Sequence, residues 1–315
     1  MSDLLAADSF RVRLNPKTGA AEARDLEGHL RRFTSTARLA WCGPHVPTPG
    51  ARTRHAAVLR RMREEGCDLA SFAWVEQDLS QVERLAVDSI ESFVAESLPL
   101  IAEFGEGWPR LELWQSTGGL PPRLKLQLRP LPDLSTTLEL RTAGHIAVDH
   151  PRRKGPNIGR YAELNRALGT EALLTDRRGY AREGATTSLV WWPHDPDAPD
   201  QRGAVVKSNK RLPSVTESII VAAAEHRLVG TKPNRRRIGQ PQPRRVTPVQ
   251  LARHEVWAVN ALHGIRTVTA VDGVAAPPPD ASRLRWFREA LDRSWQPVPA
   301  TLPERPADGA DTAEH

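Results

Sequence analysis

DHPRRKGPNIGRYAELNRALGTEALLTDRRGYAREGATTSLVWW, residues 149–192, decides how the rest of the chain is read. Lys154 stands in a Gly/Pro turn at the mouth of a helix rather than on its flank. The helix leads to a short apolar strand, EALLT, then a turn, then a Glu183-Gly184 step into Thr186 and Thr187 and a second apolar strand. A lysine beside Arg152 and Arg153 has its ammonium form disfavoured, one route to a nucleophilic amine for Schiff-base chemistry. Taken singly, these are a surface lysine, a turn carboxylate and two strand threonines. Their order points to a site with Lys154 as nucleophile, Glu183 as electrostatic partner and the threonines as anion contacts. Trp191 and Trp192, at the end of the stretch, read as packing residues of the core and domain interface.

Working outward, 315 residues are enough for a real core and suit two domains. No run of 18 apolar residues exists, so the sequence predicts no membrane span. MSDLLAADSFRVR carries early acids and no apolar core, so no secretory signal is expected. The cysteines, Cys42 and Cys67, fit a reducing cytoplasm and cannot form a zinc site by themselves. The net charge of +6 rests on arginine clusters at 152–153, 235–237 and 244–245. Acids are interspersed almost everywhere outside 230–246, and no base-stacking aromatics interleave with the arginines, which argues against nucleic-acid binding.

The pattern predicts a mixed α+β chain. Phe10, Val12 and Leu14 alternate with polar residues into a hairpin, and Asp25 caps a helix whose Leu26, Leu30 and Phe33 share a face. Helices are predicted over 56–65 and 80–104, then strands over 109–116 and 123–131. Leu131-Pro132-Asp133 reads as the linker between a small α+β domain, 1–131, and a larger domain, 132–295. In the latter, strands are predicted over 136–140 and 145–148, a buried helix in 212–230, a mobile excursion over 231–247, a strand pair over 254–273 and a closing helix over 280–295. Residues 296–315 read as a disordered tail. No GxGxxG or Walker-type loop joins a strand to a helix, so a nucleotide fold has little support.

Lys154-Gly-Pro-Asn157 before a helix, followed by EALLTDRRGYAREGATTSLVWW, resembles the fold-type IV pyridoxal-phosphate enzymes. That class-IV aminotransferase family includes branched-chain and D-amino-acid aminotransferases and aminodeoxychorismate lyase. The resemblance makes Lys154 the Schiff-base lysine and Glu183 the partner of the pyridine nitrogen, and it sends Thr186 and Thr187 toward the phosphate. His29-Leu30-Arg31-Arg32 matches the family's phosphate-binding arginine at Arg32, with His29 structural. Ser214-Val215-Thr216 matches a loop that offers main-chain amides to the phosphate, with Ser for the usual Gly. EVWAVNALHGIRTV resembles the strand and loop closing the far side of the cofactor, through Asn260 and Ala261, the latter offering only its amide.

The resemblance covers about residues 8–295 and implies a β-barrel-like second domain, a homodimer and amino transfer between an amino acid and a 2-oxo acid. A lyase eliminating pyruvate is the alternative, favoured by Asn260-Ala261-Leu262 and disfavoured where Arg11-Val12 replace a threonine that assists the chemistry. A degenerate, basic binding protein is a third reading. The family's first strand, before DSFRVR, is expected to be missing.

Overall fold

The computed structural model describes residues 3–41, 74–75, 81–85, 90–115, 122–193, 202–229 and 236–301. The first strand is not missing. β1 (Leu4–Ser9) carries four consecutive buried residues, Ala6 to Ser9, which the small side chains of Ala6 and Ala7 permit. β2 (Val12–Leu14) and β3 (Ala21–Arg24) form the predicted hairpin, closed by Asn15 Oδ1 accepting from the amides of Lys17 and Thr18. Asp25 then caps α1 (Leu26–Trp41), accepting from Gly28 N. A Cβ at position 28 would meet Asp25 Oδ2 at 2.3 Å, so glycine is what admits the cap.

The remaining first-domain elements are β4 (Trp74–Val75), β5 (Gln81–Leu85), α2 (Ile90–Phe104), β6 (Arg110–Trp114) and β7 (Arg123–Gln127). The five-stranded antiparallel sheet runs β1-β6-β7-β5-β4. The helix predicted over 80–104 therefore begins only at Ile90. Its first part is β5, which lies along the free edge of β7 with Val82 opposite Leu126. Apolar spacing at 82 and 85 suits either form, and cross-strand pairing decides for the strand. Phe10, Phe33, Phe93, Ile101, Leu111 and Leu126 make this domain's core. The predicted 56–65 helix and both cysteines lie outside the described residues.

Residues 128–135, where the linker is expected, are irregular, and the stretch expected to form the larger domain follows. Its first elements are β8 (Thr137–His145), α3 (Ile158–Leu168), β9 (Glu171–Thr175), β10 (Ala181–Gly184), β11 (Ser188–Trp192), β12 (Ala204–Val206) and α4 (Val215–Ala224). Then come β13 (Leu228–Val229), β14 (Arg236–Arg237), β15 (Gln242–Arg244), α5 (Pro248–Leu251), β16 (Glu255–Asn260), β17 (Gly264–Val271), β18 (Val274–Ala275), α6 (Ala281–Asp292) and β19 (Trp295–Pro297). The two strands predicted across 136–148 are one, and 146–148 lie beyond its end. The segment read as an excursion contains β14 and β15. The start of the segment read as a tail is also ordered, with β19 pairing with β3.

The large sheet runs β10-β9-β8-β17-β16-β11-β12-β15 and curls. Ala181 of β10, at one edge, donates its amide to Val246, two residues past β15 at the other edge. Leu173, Leu189, Trp191, Val256 and Ala258 fill one core. On the outer face Trp192, Trp257 and Phe287 pack under α4 and α6, with the two indoles 4.1 Å apart between ring centres. Trp191 and Trp192 thus take the packing role read for them. No helix among the described residues is long and apolar enough to cross a membrane.

Candidate active site

Lys154 is placed by its neighbours' backbone. Ala7 N donates to Lys154 O at 2.7 Å, which lays the turn against β1. Gly155 has φ 139°, and a Cβ there would stand 2.8 Å from Ala6 Cα. Only glycine allows that approach. Asn157 closes the turn from the other side, its Nδ2 donating to Asp149 O.

The approach brings Asp8 under the lysine. Lys154 Nζ donates to Asp8 Oδ1 and to Ser9 O, both at 3.3 Å. Arg32 Nε and Nη2 donate to Asp8 Oδ2 and Oδ1 at 2.6 and 2.8 Å, and His29 Nδ1 lies 2.9 Å from Oδ1. Burial opposes ionisation of this carboxylate, but Arg32, Lys154 and His29 outweigh it and hold Asp8 well below the usual carboxylate range. Burial also pushes His29 down, so the ring is neutral and its Nδ1–H is the donor. Lys154 is pulled down to about 8, chiefly by burial and further by Arg32, against the pull of Asp8. An amine of that kind is partly deprotonated near neutral pH.

Arg32 departs from the role read for it in one respect. Its fork grips Asp8 rather than standing free, and Nη1 also donates to Pro213 O at 2.9 Å. This fixes the arginine beside the start of α4, where it lines the cavity. Ser214 caps α4, accepting from Glu217 N at 3.2 Å, and an ion pair between Arg211 and Glu217 pins the loop. The amides of Val215 and Thr216 fall in the first turn, where no intrahelical acceptor exists.

Glu183 lies on β10, buried. Leu212 N donates to its Oε2 at 3.0 Å, and Arg182 Nη2 lies 3.5 Å from Oε1. Burial nevertheless pushes Glu183 up to about 7. The carboxylate is thus built to meet a cation that the protein itself only partly supplies. The hydroxyls of Thr186 and Thr187 turn elsewhere, onto Glu171, as does Thr186 N. Asn260 holds its own turn, accepting from His263 N and donating to Thr186 O.

All nine residues singled out in the sequence line one cavity of about 480 Å³. They are Lys154, Arg32, Glu183, Thr186, Thr187, Val215, Thr216, Asn260 and Ala261. Asp8 was missed, as were Glu171, Tyr161, Arg110, Arg129 and Arg266, of which all but Asp8 line the cavity. An acid between two alanines and a phenylalanine in a buried strand was the available signal for Asp8.

The residues present fit pyridoxal phosphate. Free first-turn amides beside Arg32 suit a phosphate, a buried carboxylate short of a cation suits a protonated pyridine nitrogen, and a depressed lysine suits the aldehyde. No protein-family model matches this sequence, and no curated protein matches it. Solved structures do match. The branched-chain amino acid aminotransferase of Thermobaculum terrenum, an M4 mutant, gives a TM-score of 0.63 at 14% identity, covering 95% of this chain and 89% of that one. The branched-chain aminotransferase of the archaeon Thermoproteus uzoniensis, with norvaline, gives 0.61 at 14%, covering 93% and 89%. A hypothetical aminotransferase from Mycobacterium tuberculosis, in its PLP-bound form, gives 0.55 at 16%, covering 93% and 88%. The chain has the two-domain fold of the fold-type IV aminotransferases.

Proposed function

We propose that this protein is a pyridoxal-phosphate-dependent class-IV aminotransferase, moving an amino group between an amino acid and a 2-oxo acid. The observation that carries the reading is the convergence of Lys154, Glu183 and the open start of α4 on one cavity. We place the boundary between its small and cofactor-binding domains at 131–132. The resemblance and the cysteine usage support a cytoplasmic homodimer.

Lys154 would hold the cofactor covalently, Arg32 with the amides of Val215 and Thr216 its phosphate, and Glu183 its ring nitrogen. Pyridoxal phosphate, when bound, supplies an electron sink for the substrate's α-carbon. The protein's own groups do the rest. Asp8 holds the lysine nitrogen near Ser9 O, fixing where it can reach. A free Lys154 amine would carry a proton to and from the substrate's α-carbon, and its depressed affinity suits it to both directions. Glu183, helped by Arg182 and Leu212 N, would stay ionised against the cofactor's ring nitrogen.

Asn260 is committed to its turn, so the structure gives the lyase alternative no added support. The test is spectroscopic. Purified protein with pyridoxal phosphate should show the absorption band of lysine-bound cofactor, absent in Lys154→Ala. Adding an amino acid should convert the band to that of the pyridoxamine form. A protein that never acquires the band refutes the reading, and pyruvate release from aminodeoxychorismate without that conversion would replace it with the lyase.

A further inference from the structure

Among the described residues, one buried arginine lining the cavity has neither an ion pair nor a side-chain hydrogen bond. Arg266, on β17 in register with Ala258 of β16, is 9% exposed and lines the same cavity as Lys154 and Glu183. Its buried Nε has no hydrogen-bond partner, and no ion pair or hydrogen bond to a described residue engages its guanidinium. The acid that acts on it is Glu171. That carboxylate is already used, accepting from Thr186 N at 2.6 Å, Thr186 Oγ1 at 2.8 Å, Thr187 Oγ1 at 3.0 Å and Asn165 Nδ2 at 3.0 Å. A carboxylate has about four lone-pair sites, so nothing remains for a bidentate arginine.

Several other largely buried arginines have acids of their own. Arg32 has Asp8, Arg110 has Glu112, Arg211 has Glu217 and Arg283 has Glu255. A guanidinium at this depth with no direct hydrogen bond is unfavourable unless a ligand offsets it, and Glu171 acts on it only through space. The wall beside it donates rather than accepts. Ser135 N donates to His263 Nδ1 at 3.2 Å, which leaves the imidazole proton on Nε2. Burial, Arg266 and Arg11 push this histidine down to about 4, so its ring is neutral near pH 7.

We infer that Arg266 binds a carboxylate of the substrate, an inference resting on the amino-acid and 2-oxo-acid reading above. A planar fork of N–H donors matches a carboxylate's two oxygens. The phosphate of the cofactor already has Arg32 and the start of α4, so it leaves Arg266 to the reacting molecule. Arg129 lines the same cavity, and its partners, Trp108 O and Ser9 Oγ, are neutral. A substrate with a second carboxylate meets a cation there too.

The test is calorimetry of the full chain with butyrate and with glutarate, two unreactive carboxylates, with and without pyridoxal phosphate. Arg266→Met should weaken carboxylate binding about tenfold or more, as loss of a charged hydrogen-bonding partner does, and leave cofactor affinity unchanged. Arg266→Lys, which keeps the charge without the fork, should fall between and carries the test if the methionine variant does not fold. Unchanged carboxylate binding in both variants overturns the inference. So does weakened pyridoxal-phosphate binding with carboxylate binding intact, which would assign Arg266 to the phosphate. A wild type that binds carboxylate but never the cofactor refutes the proposed function and leaves Arg266 as an anion site. A wild type that binds neither carboxylate overturns Arg266 itself.

Discussion

Replacing Asp8 by Asn removes one negative charge from beneath two positive ones. Asp8 is fully buried and receives hydrogen bonds from Arg32, Lys154 and His29. Breaking a buried pair from one side costs roughly 3–5 kcal/mol because the other charge stays behind. Side-chain exposures of 13% for Arg32 and 20% for Lys154 let in some water, so about 3 kcal/mol is expected. Urea unfolding of the cofactor-free protein at pH 7 would measure it. Asp8 has a depressed folded pKa, so its contribution is fully present above the unfolded value of about 3.9 and is lost as pH falls through the folded value. The gap between wild type and variant should hold from pH 7 to 5 and shrink below about 4. Combining Asp8→Asn with Arg32→Met should cost less than the sum by about 1–3 kcal/mol. A variant within about 0.5 kcal/mol of wild type, or a strictly additive pair, refutes the account of Asp8 as the shared counter-charge.

Other outcomes follow from the same geometry. Gly155→Ala forces a left-handed φ and a backbone clash with Ala6, and should cost about 1–3 kcal/mol or more and reduce cofactor capture, read by denaturation and absorbance. Capture of pyridoxal phosphate needs the neutral amine of Lys154, so its rate should rise with pH through a midpoint near 8, and a flat profile from pH 6 to 9 would contradict this. In the cofactor-free protein, burial raises Glu183 to about 7, so the folded state binds the extra proton and stability falls as pH rises from about 4.5 to 7. Glu183→Gln should therefore stabilise that form by about 1–3 kcal/mol at pH 8 and by little at pH 4, while losing lysine-bound cofactor.

What was legible in the sequence was what lies close together in it. Lys154, Glu183 and the threonines share one stretch, and helix starts such as Ser214-Val215-Thr216 announce themselves by capping residues. Asp8 was not legible because its partners stand 21, 24 and 146 residues away. No local pattern distinguishes a buried acid that serves distant cations from an exposed one. Arg266 left a fainter trace. It is the one charged residue of its strand and stands in register with Ala258, and a buried charge there is the mark of a site. β5 was misread because apolar spacing over a few residues fits two periods, and the edge of β7 that chooses between them lies about forty residues on.

The short strand β19 sets a timetable for synthesis. Its Trp295 pairs with Arg24 of β3 and lies beneath the guanidiniums of Arg13 and Arg24, 4.2 and 4.3 Å from them. The three-stranded sheet of the first domain thus has a member made after the whole second domain. On the ribosome, the hairpin of β2 and β3 must wait with one edge bare while residues 25 to 294 are added. At about 5–20 residues per second that wait is tens of seconds. Arg24 is then its gatekeeper, a cation on the open edge of β3 that discourages pairing with another chain until Trp295 arrives to cover it.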